Sequence, residues 1–272
     1  MINEDLLMEL ADCGTPQKLA KIIHKHISPA PDGSTDLEAI AKAVGITAIT
    51  QEQSDKFEGL LVTTADKNAG VITINANSHS TKQRFTIAHE LGHFLIPAHD
   101  KTVTCVAADL KTAASEKSRR KSEAEANDFA SELLMPTDRL SKQIDSHIGP
   151  ELEKIVALAD QYKVSKEAMI RKYMPLTPHT CAVFFGKENK MFGLPIRTSL
   201  FPFISIDPND VMPPHITEVL KDMAEGEFSE WFEVDPHYFL AQPQHTRGGA
   251  LYAQILRQVR SFSTVLLSLE KD

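Results

Sequence analysis

Residues 81–96 read TKQRFTIAHELGHFLI. Apolar side chains recur at Phe85, Ala88, Leu91 and Leu95, which is the spacing of one helical face, and Pro97 stops the run. On this helix His89 and His93 stand at i and i+4 and share a face. Both imidazoles can therefore reach one Zn²⁺ at about 2.0–2.1 Å. Glu90 is poorly placed to ligate. It is well placed beside the open coordination position, where a carboxylate can take a proton from water. The string His89-Glu90-Leu91-Gly92-His93 thus predicts a catalytic zinc site with Glu90 as general base. The plain structural alternative is a satisfied pair of core histidines.

A catalytic zinc also needs a third protein ligand and a position left for water. Glu123, Glu125 and His99 are the candidates. The offset of His99 from His93 matches an extended HExxHxxGxxH site. That site needs a glycine three residues after the second histidine to swing the last ligand back, and here Ile96 and Pro97 follow instead. Ser122-x-x-Glu125 has the outline of a capping box, which would turn Glu125 toward the helix start and leave Glu123 free. Asn127 falls on the same face as Glu123, placed to hydrogen-bond a ligand or orient a liganding histidine.

Outward from this centre, residues 16–28 and 36–44 predict amphipathic helices, the second stopped by Gly45. FEGLLVTT (57–64) and GVITIN (70–75) predict a hairpin across the polar turn ADKNA. With GVITIN at the sheet edge, an extended substrate could add to it by backbone hydrogen bonds. Residues 98–121, with the basic run Lys117–Lys121, read as a solvated loop or a flap, and SEAEANDFASELLM (122–135) as a further helix. Residues 152–163 and 165–173 suggest two short helices, and the proline-rich MPLTPHT (174–180) a domain boundary. Beyond it, strands are expected at 181–189, 191–198, 203–207, 230–234 and 263–270, and helices near 214–225 and 249–260. The fold class is α+β. Its expected parts are a peptidase domain at 1–148 with a small sheet and active-site helices, a helix-turn-helix-like segment at 149–174, and an α+β module at 175–272.

Composition bounds the remaining classes. The chain has 272 residues, 42% hydrophobic and 24% charged, which excludes wholesale disorder. No apolar run approaches the ~20 residues of a membrane span. The N-terminus MINEDLLMELADCG does not read as a secretory signal, and Cys13, Cys105 and Cys181 are scattered, so a reducing cytoplasm is expected. A formal net charge of −8 argues against direct nucleic-acid binding. The competing function is nevertheless a DNA-binding regulator using LADQYKVSKEAMIRKY (158–173), with Lys163, Lys166, Arg171 and Lys172 toward phosphates. Glu151, Glu153, Asp160 and Glu167 offset that charge. A third class, a zinc-dependent regulatory binding protein without cleavage, gives Glu90 no role.

RFTIAHELGHFLI (84–96) followed by EAEANDFASELLMP (123–136) resembles the ImmA/IrrE family of metallo-endopeptidases. DLEAIAKAVGI (36–46) and the FEGLLV and GVITIN segments are similar to that family too, so the resemblance covers roughly residues 34–175. It implies a gluzincin-like, zincin-type domain with zinc held by two histidines and one glutamate. The family's glutamate stands three residues before the first alanine of A-N-x-F-A, which is Glu123 here. The resemblance further implies a protein substrate, a helix-turn-helix transcriptional repressor, whose cleavage switches genes on. Some members end in a GAF-like domain, so the last module is expected to be sensory or regulatory. Its Trp231, Phe232, Tyr238 and Phe239 suit a core or a pocket. His99 and His147 are candidate oxyanion stabilisers, and Cys105 reads as an inert thiol.

Overall fold

A computed structural model of the chain describes residues 2–99, 102–105, 113–144, 149–242 and 250–269, with the backbone alone at 102–105 and 113–118. Two compact units form, Met1–Leu140 with Ala159–Ser165, and Ser141–Leu158 with Lys166–Asp272. The architecture is α+β with two sheets.

The first unit begins with helices α1 (Glu4–Ala11), α2 (Pro16–His26) and α3 (Leu37–Val44). The Asp36 side chain accepts the Ala39 N–H and caps α3, and Gly45 ends it at φ 104°. A Cβ at Gly45 would lie 2.5 Å from the Asn68 carbonyl oxygen, so both the dihedral and the space call for glycine. Strands β1 (Ile46–Glu52), β2 (Gly59–Thr63) and β3 (Gly70–Asn75) follow, then α4 (Ser80–Leu95), β4 (Thr102–Cys105), α5 (Ala113–Leu134) and α6 (Thr137–Leu140). The sheet order is β1-β3-β2-β4. The expected hairpin is β2–β3, with Leu61 opposite Ile72 and both buried in the core.

Three expectations are corrected here. GVITIN is β3, and it is not an edge strand. It pairs with β2 on one side and, in parallel, with β1 on the other. Its backbone groups are already used, so a substrate strand cannot add there. ITAITQE, unassigned from sequence, forms β1; its largely exposed side chains hide the apolar alternation that marks a strand. The region read as a loop at 98–121 contains β4 and the first turns of α5. Residues 113–121, AASEKSRRK, are good helix formers without an apolar stripe, so only propensity marks them. Ser122 therefore sits inside α5, and the capping-box argument fails with it.

The second unit holds most of α7 (Leu152–Tyr162), α8 (Lys166–Tyr173), β5 (Cys181–Lys187), β6 (Lys190–Arg197), α9 (Pro214–Asp222), β7 (Phe232–Val234), a 3₁₀ turn at Pro236–Tyr238, β8 (Leu251–Arg257) and β9 (Phe262–Leu269). Its sheet is antiparallel in the order β6-β5-β9-β8-β7. Phe184, Phe201, Phe239, Leu251, Ile255 and Val265 fill its core. The helix expected at 249–260 is the strand β8. The run LYAQILR fits either period, and pairing with β7 and β9 on both sides decides for the strand. FISID makes only an isolated bridge, Ile204 to Leu240. Of the four aromatics, Phe239 is core, Phe232 packs at its margin, Tyr238 is exposed against His215, and Trp231 lines an open cavity with Tyr252 and Ser268.

The two short helices of the helix-turn-helix-like segment are α7 and α8. On these helices Lys163 pairs with Asp32, and Arg171 pairs with Glu167 at 2.8 Å. Among the described residues, no helix is long and apolar enough to cross a membrane.

Candidate metal centre

The site is built where α4 lies against α5. Gly92 and Ala126 set the separation: a Cβ on Gly92 would stand 3.2 Å from the Ala126 Cα and 3.1 Å from a Phe129 ring carbon. Ala126, Phe129, Ala130 and Leu133 are fully buried along the α5 face. One turn before Ala126 that face carries Glu123 toward the α4 histidines. The α4 C-terminus is held by the Lys67 ammonium, which donates to the carbonyls of His93 at 2.8 Å and Ile96 at 3.2 Å. A cation there suits the negative end of the helix dipole.

His89, His93 and Glu123 bring one ligand atom each within 4.8 Å of one another. His89 Nε2 is 3.3 Å from Glu123 Oε2, and His93 Nε2 is 3.7 Å from Glu123 Oε1. The two Nε2 atoms are 3.1 Å apart. On the far side of His89, Nδ1 lies 3.0 Å from Asn127 Oδ1. That oxygen only accepts, so His89 carries its proton on Nδ1 and turns the Nε2 lone pair inward. A second imidazole, a carboxylate and this lone pair then converge on one point, which is the donor chemistry of a structural or catalytic zinc site. The residues therefore fit a divalent cation, and zinc among them.

The electrostatics agree. The neighbouring imidazoles of His89, then His93, hold the Glu123 carboxyl well below the usual carboxylate range. Burial pushes His93 below the ordinary imidazole value, which favours the neutral, ligating form.

The other two candidates for third ligand do not join this group. His99 stands behind His93, with Nδ1 to Nδ1 at 3.1 Å, and its Nε2 meets Glu125 Oε2 at 3.0 Å. Glu125 is thus spent on His99, two residues from Glu123 and on another side of α5.

Glu90 is fully buried beside the first histidine, under β2. Gly59, at the start of β2, makes room for it. A Cβ on Gly59 would fall on the Glu90 carboxylate and lie 2.5 Å from Thr86 Cγ2. Sequence reasoning missed Gly59 and Gly92 as site residues. Gly92 could have been found as the one small residue inside the histidine motif, whereas Gly59 carries no local signal. His147 and the Cys105 side chain lie outside the described residues.

Comparison with known proteins follows the same lines. The Peptidase M78 family model, described as the IrrE N-terminal-like domain, matches residues 41–174, a span that contains α4, α5 and the whole site. A search of curated proteins finds no match. A solved structure of a Mycobacterium tuberculosis transcriptional regulator is similar in fold, at 12% sequence identity and a TM-score of 0.53, over 93% of this chain and 75% of that one. Residues 41–174, which hold both histidines and the glutamate between two packed helices, are an IrrE N-terminal-like domain of the Peptidase M78 family.

Proposed function

We propose that the chain is a zinc-dependent endopeptidase that hydrolyses a peptide bond in a protein substrate. The observation that carries this reading is the convergence of His89, His93 and Glu123 next to the buried Glu90, within a domain of a peptidase family. When bound, zinc supplies a Lewis acid that acidifies water and polarises a carbonyl. His89, His93 and Glu123 hold that ion. The Glu90 carboxylate takes the proton of the attacking water and later delivers it to the leaving amine. Its surroundings, with Gly59 on one side and Thr86 on another, keep the carboxylate in one place during the transfer.

The substrate in this reading is a helix-turn-helix transcriptional repressor in the cytoplasm, whose cleavage derepresses genes. The likeness of RFTIAHELGHFLI and EAEANDFASELLMP to the ImmA/IrrE peptidases supports it. The test incubates the zinc-loaded full chain with helix-turn-helix repressors encoded near its gene and reads fragments by mass spectrometry. Discrete cleavage by the chain and none by Glu90→Gln is expected. No cleavage of any repressor, by protein shown to carry zinc, would favour a binding role instead.

A further inference from the structure

We infer that His99 and Glu125 are positioning residues for the metal centre: the chain Glu125–His99–His93 fixes His93 in the tautomer that offers Nε2 to the ion. This rests on the reading of His89, His93 and Glu123 as ligands and adds to it the pair that holds the outer face of His93.

The proton assignment follows from the donors and acceptors in turn. The Glu125 carboxylate accepts, so His99 Nε2, 3.0 Å away, carries a hydrogen and donates it. A neutral imidazole has one N–H, so His99 Nδ1 is an acceptor. Its neighbour at 3.1 Å is His93 Nδ1, which must donate. His93 Nε2 is then left with its lone pair, on the side where Glu123 Oε1 lies 3.7 Å away. Asn127 does the same for His89 in a single step. The two liganding imidazoles are thus oriented by different devices, a short amide for one and an imidazole–carboxylate pair for the other.

The backbone explains how His99 gets there. Ile96 caps α4, Pro97 prevents another helical turn, and the His99 N–H donates back to the Ile96 carbonyl at 3.2 Å. That tight turn folds the His99 ring under His93, with centroids 4.9 Å apart and the His99 side chain fully enclosed. An imidazole at this offset is the third metal ligand where a glycine follows the helix. Here the turn places it one layer out, and Glu123 takes the ligand position.

The test measures zinc affinity of the full chain by competition with a chromogenic chelator. Variants are His99→Leu, His99→Asn and Glu125→Ala, each checked for folding by circular dichroism. Loss of a group that hydrogen-bonds a metal-liganding histidine weakens metal binding by roughly 10–100-fold, and that is expected for His99→Leu. The Asn side-chain oxygen falls near the position of the imidazole Nδ1, so His99→Asn should recover much of the affinity. A mere packing role would reverse that order, because Leu fills the space better than Asn. Glu125→Ala removes a half-buried carboxylate from a helix surface and should also weaken zinc, so it reads the relay even if His99→Leu fails to fold. In nitrogen-15 NMR of the zinc-loaded chain, His93 should show a protonated Nδ1. Wild-type affinity in both His99→Leu and Glu125→Ala, or equal losses in His99→Leu and His99→Asn, would overturn the inference. His93→Ala and Glu123→Ala separate the two levels. Full zinc binding in those variants refutes the ligand assignment itself, whereas zinc lost there but kept in the His99 and Glu125 variants refutes only the relay.

Discussion

Gly59→Ala tests whether β2 holds the general base in place. The added methyl would land on the Glu90 carboxylate and 2.5 Å from Thr86 Cγ2. Carbon atoms rest at about 3.5–4.0 Å, so something must move by roughly 1 Å. The strand cannot withdraw easily, because Gly59 pairs with Ile74 on one side and Cys105 on the other. Thr86 and Glu90 are both buried on α4. The carboxylate, at the end of a rotatable side chain, is the group most able to shift. Overpacking of this kind costs about 1–3 kcal/mol, or a fall in Tm of about 2–12 °C at roughly 2–4 °C per kcal/mol. A misplacement of about 1 Å costs on the order of 10²-fold in rate. Zinc per chain should not change, because the atoms nearest the added methyl belong to Glu90 and Thr86 and not to a ligand. Thermal unfolding, metal analysis and a cleavage assay on one preparation read all three. Gly14→Ala is the control, since a Cβ there meets nothing within 4 Å. Unchanged Tm together with unchanged activity in Gly59→Ala would refute the reasoning.

Other substitutions address the remaining links. Glu90→Gln should retain zinc and lose about 10²–10⁴-fold in peptide hydrolysis; retained cleavage would remove Glu90 from the base role. Glu123→Ala should lose most bound zinc, measured as metal per chain after dialysis, and unchanged content would point to another ligand. Burial pushes the Cys181 thiol up to about 12, so at pH 8 roughly one molecule in 10⁴ carries the reactive thiolate. In a Cys13→Ser, Cys105→Ser background, Cys181 should resist a thiol reagent until the protein is unfolded. Rapid labelling of the native chain would contradict its enclosure in the second unit.

How much of this was legible in the sequence depends on how local the cause is. The His89–His93 pair lies on one helix at a spacing that geometry interprets directly, so the centre of the site could be read without a structure. Glu123 is different. Its place beside the histidines depends on the Gly92–Ala126 crossing, which is a contact between two helices. Spacing alone left Glu125 and His99 open, and the helix start at Ala113 removed the capping argument that spoke for Glu123. The family resemblance chose it instead. The hairpin at β2–β3 was legible because two runs rich in β-forming residues flank a polar turn. Its neighbour β1 was not, since one exposed edge strand shows little pattern. β8 was misread as a helix because LYAQILR satisfies both periods until its partners are known. Gly59 shows the same limit at a single position: a glycine at a strand start has many uses, and only the carboxylate above it reveals which one applies here.

Every functional role assigned to this chain requires that His89, His93 and Glu123 hold one metal ion between α4 and α5. X-ray absorption at the zinc edge of the purified full chain tests that most directly. The prediction is one zinc per chain with nitrogen and oxygen neighbours only, the imidazole nitrogens at about 2.0–2.1 Å, and loss of that signal in His93→Ala and Glu123→Ala. A sulfur shell near 2.3 Å, or zinc unaffected by both substitutions, would contradict it.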